Sequence, residues 1–372
     1  MKKVLFVATV AKAHISVFHL PFLKMFQEMG WETHVAARND FGTEDVKLPY
    51  CDVYHDLPFE RSPLKPANVK VYRQLKELVE REGFDIVHCH TPVGGVIARL
   101  ACRRARKKQG TKVIYTAHGF HFYKGAPKAN WLIYYTIERL CARYTDTLIT
   151  INGEDFDLAK RKLKAKRVVY VPGVGIDLAK FGGYTVDKAA KRAELGVPAG
   201  ATLLLSVGEL NENKNHETAI RAVAGLDNVY YMIAGRGHLS EHLQGVIDTL
   251  GLAERVKLLG YRNDVGELCC AADVFLFPSF REGLSLSVME AMACGLPIVC
   301  SRIRGNTDLV DEQGGALFDP RMAADCRAAL ERVLSQDLAA LGAHNLEKIK
   351  TFSLDHVIGI MRELYCAAED RL

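Results

Sequence analysis

A chain of 372 residues exceeds one ordinary hydrophobic core and has room for two domains of roughly 150 residues each. Its 49% hydrophobic and 25% charged residues are the balance of a globular protein in water, which excludes a mostly disordered or fibrous chain. The net charge of +5 suits phosphorylated ligands or an anionic surface and falls short of a nucleic-acid-binding signature, so no nucleic-acid partner is expected.

The start, MKKVLFVATVAKA, imitates a secretion signal. Its apolar run is only Val4 to Ala11, is rich in β-branched residues and meets Lys12, so a first β-strand is expected. The runs KVLFVAT, THVAA, FDIVHCH, KVIYTAH, TLITI and RVVYV follow with helical patterns between them, which predicts a parallel, doubly wound α/β sheet. The segment from Pro172 to Tyr184 is glycine-rich with little periodicity and reads as a join. Beyond it the rhythm restarts with TLLLSVGEL, VYYMIAG, VKLLGY, VFLFPS, PIVCS and ALFDP, which predicts a second Rossmann-like domain. Open α/β sheets bind ligands beyond the carboxyl ends of their strands, so two of them are expected to face an interdomain cleft lined by strand-end residues. Ten cysteines without a C-x-x-C pair or metal-type spacing read as reduced thiols of a cytoplasmic protein, and no stretch approaches a membrane-spanning length.

No G-x-G-x-x-G stands at either domain's first strand-to-helix turn, and there is no P-loop, so nicotinamide chemistry is not expected. The stretch REGLSLSVMEAMACG, Arg281 to Gly295, carries more. A strand ends near Pro278 and a helix begins near Ser285, so free N–H groups and the positive end of a helix dipole form an anion site, with Gly283 allowing close backbone approach. Glu282 precedes that helix and Glu290 lies about one and a half turns into it. A nucleotide sugar satisfies this layout, with Glu282 to the sugar, the helix start to the diphosphate and Glu290 to the ribose. Two solvated surface glutamates are the competing explanation.

The string P-S-x-x-E-G-L-S-x-S-x-x-E-A-M-A-C-G-x-P, Pro278 to Pro297, resembles the E-x7-E signature of the GT4 retaining glycosyltransferases of GT-B fold. HCHTPVGGVIARL, TAHGFHFYKGAP, NWLIYYTIERL and GELNENKNHE are similar to the EpsD-like type that builds bacterial exopolysaccharides. The resemblance implies two domains, an acceptor side at 1–175 completed by a C-terminal helix at 355–372, and a nucleotide-sugar donor side at 176–354. It implies that Glu282 touches the donor sugar, that Gly283, Leu284 and Ser285 offer amides to the phosphates, and that Glu290 binds the ribose. Lys214 matches the family's diphosphate lysine, a cation suited to the charge that builds on the leaving group. His118 matches its catalytic histidine. Gly208, Glu209, Gly235 and Tyr261 fall on the donor side, while Lys12, His14 and His121 are candidates on the acceptor side. The chain departs from the pattern in three places. Its first βα loop, Val10 to His14, lacks the usual glycines; Glu209 stands where an arginine is common; and Gly173 to Asp177 replace the usual N-G-V-D.

Arg99, Arg103 and Arg106 share a helical face, with Lys107 and Lys108 at its end; contact with an anionic membrane and a solvated helix end are both open readings. Around residue 137 the stripe Ile133, Ile137, Leu140, Cys141 and Tyr144 predicts a buried face, which leaves Trp131, Tyr134 and Glu138 outward. His88, His90, His118 and His121 could imitate a metal cluster, but no carboxylate is spaced with them, and neither a metal nor another cofactor is expected. The function implied is retaining transfer of a hexose or N-acetylhexosamine from a UDP-sugar to a lipid-linked polysaccharide precursor, at the inner face of the plasma membrane and alongside polysaccharide-synthesis proteins. A non-catalytic nucleotide-sugar-binding subunit and a two-carboxylate glycosidase are the alternatives.

Overall fold

A computed structural model describes residues 1–43, 46–62, 65–181, 184 and 186–369; Gly182 and Gly183 of the expected join, and the last three residues of the expected final helix, lie outside these. The chain divides into two compact units, Met1–Gly175 with Asp355–Leu372, and Ile176–Leu354.

The first unit holds a seven-stranded parallel sheet. Its strands are β1 (Lys3–Val10), β2 (Glu32–Arg38), β3 (Val53–Asp56), β4 (Ile86–Cys89), β5 (Lys112–Ala117), β6 (Thr147–Thr150) and β7 (Arg167–Tyr170), in the order β3-β2-β1-β4-β5-β6-β7. Sequence reasoning passed over β3, whose four residues, VYHD, are half-buried or exposed and carry no apolar run. Both faces of the sheet are covered. Val4, Phe6 and Ala8 of β1 join one apolar cluster while Leu5 and Val7 join another, so a strand that alternates in space reads as a continuous hydrophobic run. The helix Leu354–Glu369 sends Val357, Met361, Leu364 and Tyr365 into the cluster of Val4 and Phe6. Tyr365 is fully buried, and its hydroxyl lies 2.7 Å from His88 Nδ1.

Two helices of this unit correct the sequence reading. Helix α1 (Pro92–Ala101) carries Arg99, whose guanidinium is fully buried and bonds both oxygens of Glu138 at 2.8 and 3.0 Å from helix α2 (Thr136–Ala142). Arg99 Nε also donates to Gly95 O at 2.8 Å, and the guanidinium lies 3.9 Å from the centre of the Tyr115 ring. Glu138 therefore points inward, and Ile133 and Leu140, expected in the core, are 51% and 53% exposed. Burying one fork-shaped ion pair sets the rotation of the helix, which the apolar stripe alone mispredicts. Arg106 bonds both oxygens of Asp146 and Arg103 stacks on Tyr144, so of the basic face proposed for lipid, Arg99 and Arg106 are engaged inside the protein.

The second unit repeats the plan with six parallel strands. These are β8 (Thr202–Val207), β9 (Val229–Ala234), β10 (Val256–Gly260), β11 (Val274–Phe277), β12 (Ile298–Ser301) and β13 (Gly315–Phe318), in the order β10-β9-β8-β11-β12-β13. In both sheets the strand order reverses at the first strand, between β1 and β4 and between β8 and β11. No helix among the described residues is long and apolar enough to cross a membrane.

Removing one partner of a desolvated ion pair strands a buried charge. Glu138→Ala is expected to lower stability by about 3–5 kcal/mol, read as a fall in the urea midpoint, whereas Arg99→Met with Glu138→Leu should cost much less. Equal losses in the single and double variants would contradict this account of the pair.

Candidate functional site

At the switch point of the second sheet, β8 ends just before Gly208 and β11 ends before the loop that carries Glu282. Lys214 Nζ donates to Glu282 Oε1 at 2.8 Å and lies 4.7 Å from the centre of the Phe277 ring. Both side chains are partly exposed, at 20% and 15%, so the pair is reachable from solvent. A Cβ on Gly208 would come within 3.3 Å of the Lys214 side chain, and one on Gly235 would overlap the Gly208 carbonyl at 1.8 Å. Glycine at both positions lets the ends of β8 and β9 close up and leaves room for the lysine stem.

The loop from Arg281 to Leu284 is fixed from outside. Asn213 Nδ2 donates to Arg281 O at 3.0 Å, and the buried Arg304 donates from Nε to Glu282 O at 3.1 Å. Gly305, at φ +78°, lies against the Gly283 carbonyl, where a Cβ would approach to 2.4 Å. Arg304 and Gly305 were not among the residues singled out from the sequence; they stand in the turn after β12, and only pairing of β11 with β12 brings them here.

Ser285 caps helix α3 (Leu286–Ala293), its Oγ accepting from Val288 N at 3.3 Å. The N–H groups of Leu286 and Ser287 find no acceptor among the described residues and present the positive end of the helix. Glu290 follows on the same helix. Its carboxylate has no hydrogen-bond partner among the described residues, and burial pushes its pKa up. A half-buried carboxylate in that condition favours a ligand that brings hydroxyl donors. Glu209 is exposed at the end of β8 and supplies no cation, and Tyr261, beyond β10, is 65% exposed with the Arg236 guanidinium 5.7 Å from its ring centre. Glu282, Lys214, Gly208 and Gly235 thus meet at one place; Glu209 follows Gly208 directly, and Tyr261 stands at the neighbouring end of β10.

In the first unit the chain leaves β1 through a single π-helical turn, Ala11–Ile15, a distortion frequent at functional sites. The amides of Lys12 and Ala13 donate to the two carboxylate oxygens of Asp40 at 2.5 and 3.0 Å. An internal anion therefore occupies the place where a glycine-rich loop would offer amides to a phosphate. His14 and His121 line one cavity of about 460 Å³, with Thr91, Arg61 and the apolar Val93 and Ile97, while the exposed Lys12 does not. His118 follows β5 and meets His90 rather than His121, its Nε2 lying 3.3 Å from His90 Nδ1. The histidine grouping expected from the sequence is rearranged: His14, His19, His90 and His118 gather, His88 binds Tyr365 and Thr116, and His121 packs on Tyr134.

Two doubly wound parallel sheets of this kind define the GT-B architecture. The fold matches a sucrose-phosphate synthase from Thermosynechococcus elongatus with a TM-score of 0.81 at 20% identity over 100% of both chains. It also matches Anabaena Alr3699/HepE in complex with UDP-glucose, with a TM-score of 0.79 at 19% identity over 99% of this chain and 100% of that one. Residues 187–348 match the family Glycosyl transferases group 1 and residues 20–180 match Glycosyltransferase Family 4. The chain is 39% identical to a protein of Bacillus subtilis (strain 168) named as glycosyltransferase EpsD, over 99% of this chain and 97% of that one. It is 30% identical to the UDP-Gal:alpha-D-GlcNAc-diphosphoundecaprenol alpha-1,3-galactosyltransferase of Escherichia coli, over 82% of each. The chain belongs to the GT4-like, group 1 glycosyltransferases and is an enzyme of that class.

The buried histidines make stability depend on pH. Burial lowers His14 to about 4, His88 and His118 to about 3, and His216 to about 4, while His19 and His90 fall well below their ordinary value. Each stays neutral in the folded chain and takes a proton in the unfolded chain below its ordinary value of 6.5. The unfolded state then binds more protons, so stability is full above that value and is lost as pH falls towards the folded values, by about 1.4 kcal/mol per pH unit for each such histidine. The urea midpoint should drop steeply between pH 7 and 5; a flat profile would show that these rings are not held neutral.

Proposed function

We propose that this glycosyltransferase moves a hexose or N-acetylhexosamine from a UDP-sugar to a lipid-linked saccharide, with retention of anomeric configuration, in the synthesis of a surface polysaccharide. One observation carries the donor assignment: a solvent-reachable lysine, a helix start with spare N–H groups and a half-buried, unpaired carboxylate follow one another along a single extended surface of the second unit. Lys214 and the start of α3 attract the diphosphate, and Glu290 accepts from the ribose hydroxyls. Glu282, oriented by Lys214 and by its own carbonyl's bond to Arg304, accepts from the sugar hydroxyls. As the glycosidic bond breaks, negative charge builds on the departing diphosphate, where Lys214 and the helix dipole act more strongly than on the intact donor. Transfer on one face of the sugar lets a diphosphate oxygen take the proton of the incoming hydroxyl. The charge is met by these groups with no metal assigned to the diphosphate and no covalent nucleophile. His118 is the transfer-centre histidine by resemblance.

For the acceptor, the apolar cavity lined by His14, His121 and Arg61 suits an amphiphilic saccharide. The Escherichia coli relative acts, by its name, on a diphosphoundecaprenol-linked sugar, and the Bacillus subtilis relative supports a place in exopolysaccharide synthesis. The lipid-facing surface proposed from sequence shifts to Leu132, Ile133 and Leu140, all exposed, with the exposed Arg139 next to Leu140 in the chain. These features support a location in the cytoplasm, at the inner face of the membrane.

Calorimetric titration with UDP, GDP and ADP tests the donor. UDP should bind best, and Lys214→Ala and Glu290→Ala should each weaken it about tenfold or more, the loss of one charge-assisted hydrogen bond. Turnover should appear as UDP release that requires a lipid-diphosphate saccharide acceptor. Preference for a purine nucleotide, or equal binding by both variants, would overturn the assignment. Gly305→Ala should weaken UDP binding while leaving the Lys214 and Glu290 side chains intact, since a Cβ there displaces the Gly283 carbonyl; unchanged affinity would show that the loop does not depend on that contact.

A further inference from the structure

We propose that His14, His19, His90 and His118 form a binding site for one late divalent transition-metal ion, with Zn²⁺ the best fit. The four rings come from different places in the chain and are gathered by the strand-order reversal. His14 and His19 follow β1, His90 follows β4 and His118 follows β5, so all four stand at the carboxyl ends of adjacent strands. One ligand atom from each lies within 4.8 Å of the others.

The spacing fits a tetrahedral ion. With metal–nitrogen bonds of about 2.0–2.1 Å, the edge of a tetrahedron of nitrogens is about 3.3 Å. His14 Nε2 and His19 Nε2 are 3.2 Å apart, and His118 Nε2 and His90 Nδ1 are 3.3 Å apart. Two opposite edges are therefore already at ligand spacing, and bringing the two pairs together completes the set. The rings of His19 and His90, stacked 3.8 Å apart, hold the pairs face to face.

The hydrogen bonding of the rings points the same way. A neutral imidazole carries one donor and one acceptor, and buried ones are normally satisfied at both. His19 and His90 are each 1% exposed; the nitrogens at ligand spacing, His19 Nε2 and His90 Nδ1, face other histidine rings, and the outer nitrogens, His19 Nδ1 and His90 Nε2, have no hydrogen-bond partner among the described residues and would carry the N–H of metal-bound rings. Neighbouring His88 shows what satisfaction looks like, with Tyr365 on one nitrogen and Thr116 on the other; that also removes it from the ligand set. Burial keeps the four rings in the neutral form that binds metals. Imidazole without carboxylate or carbonyl oxygens selects zinc, copper, nickel or cobalt over magnesium, calcium or manganese. His14 also lines the cavity of the first unit, which gives an ion a route in. The sequence suggested a different foursome because strand periodicity pairs His88 with His90, and nothing in it shows that His14 and His19 fold over that strand.

The test uses tag-free, full-length protein stripped with a chelator, without nucleotide or acceptor, so its outcome is separate from that of the transferase reading. Titration with Co²⁺ should produce the intense visible bands of four-coordinate cobalt and saturate at one equivalent, and one equivalent of Zn²⁺ should abolish them. Zn²⁺ should raise the melting temperature, and Mg²⁺ should not. His19→Gln with His90→Gln should weaken Zn²⁺ about 100-fold or more, whereas His121→Gln, outside the cluster, should bind as the unaltered chain does. Weak, six-coordinate cobalt spectra in the unaltered protein, or no saturation at one equivalent, would overturn the proposal whether or not the variants fold. Equal Zn²⁺ affinity in a folded double variant would do the same.

Discussion

Parallel strands deliver all their carboxyl ends to one edge of a sheet, and where the strand order reverses, neighbouring connections leave towards opposite faces. The rest of this protein depends on that constraint. In the second unit it sets the turn after β8 beside the loop after β11, so a lysine and a glutamate 68 residues apart form an ion pair at the head of a helix. In the first unit it sets the turns after β1, β4 and β5 side by side and gathers histidines from four points of the chain. The sheets themselves are closed to chemistry, because both faces are packed with apolar side chains.

Electrostatics then separates the two edges. The edge of the second unit keeps its charges partly in solvent: Lys214 and Glu282 neutralise each other without being sealed. Glu290 is the exception, half-buried on α3, its pKa raised by desolvation and its carboxylate without a hydrogen-bond partner among the described residues. Backbone glycines do the spacing, since Gly208, Gly235 and Gly305 stand where a single added carbon would meet a side chain or a carbonyl. The edge of the first unit works by the opposite rule. Its histidines are held neutral by burial, and its first loop satisfies its amides internally on Asp40. One edge is organised around anions, the other around uncharged nitrogen donors.

The first unit also shows how a polar interaction can outrank an apolar stripe. Leu132, Ile133 and Leu140 stay at the surface because Glu138 is drawn inward by Arg99, and the pair sits on Tyr115 of the central sheet. The exposed apolar residues are a consequence of that rotation. The final helix is fixed by another buried contact, the Tyr365 hydroxyl on His88, which ties residues from the chain's end to the fourth strand.

Sequence by itself determined the layered plan, two parallel α/β sheets, the position of the join and the E-x7-E stretch with its helix start. Strand runs, glycine turns and helix caps are local, and their spacing survives without a partner. It also singled out Lys214, Glu282 and Glu290 as candidates, and the structure brings Lys214 and Glu282 into contact. Only the tertiary structure decided which way α2 faces, that Arg304 and Gly305 brace the donor loop, that Asp40 closes the first loop, and which four of the histidines meet. The physical reason is common to all of these. Each depends on strand register or on burial of a charged group against a residue far away in the chain, and neither leaves a periodic trace in the order of the amino acids.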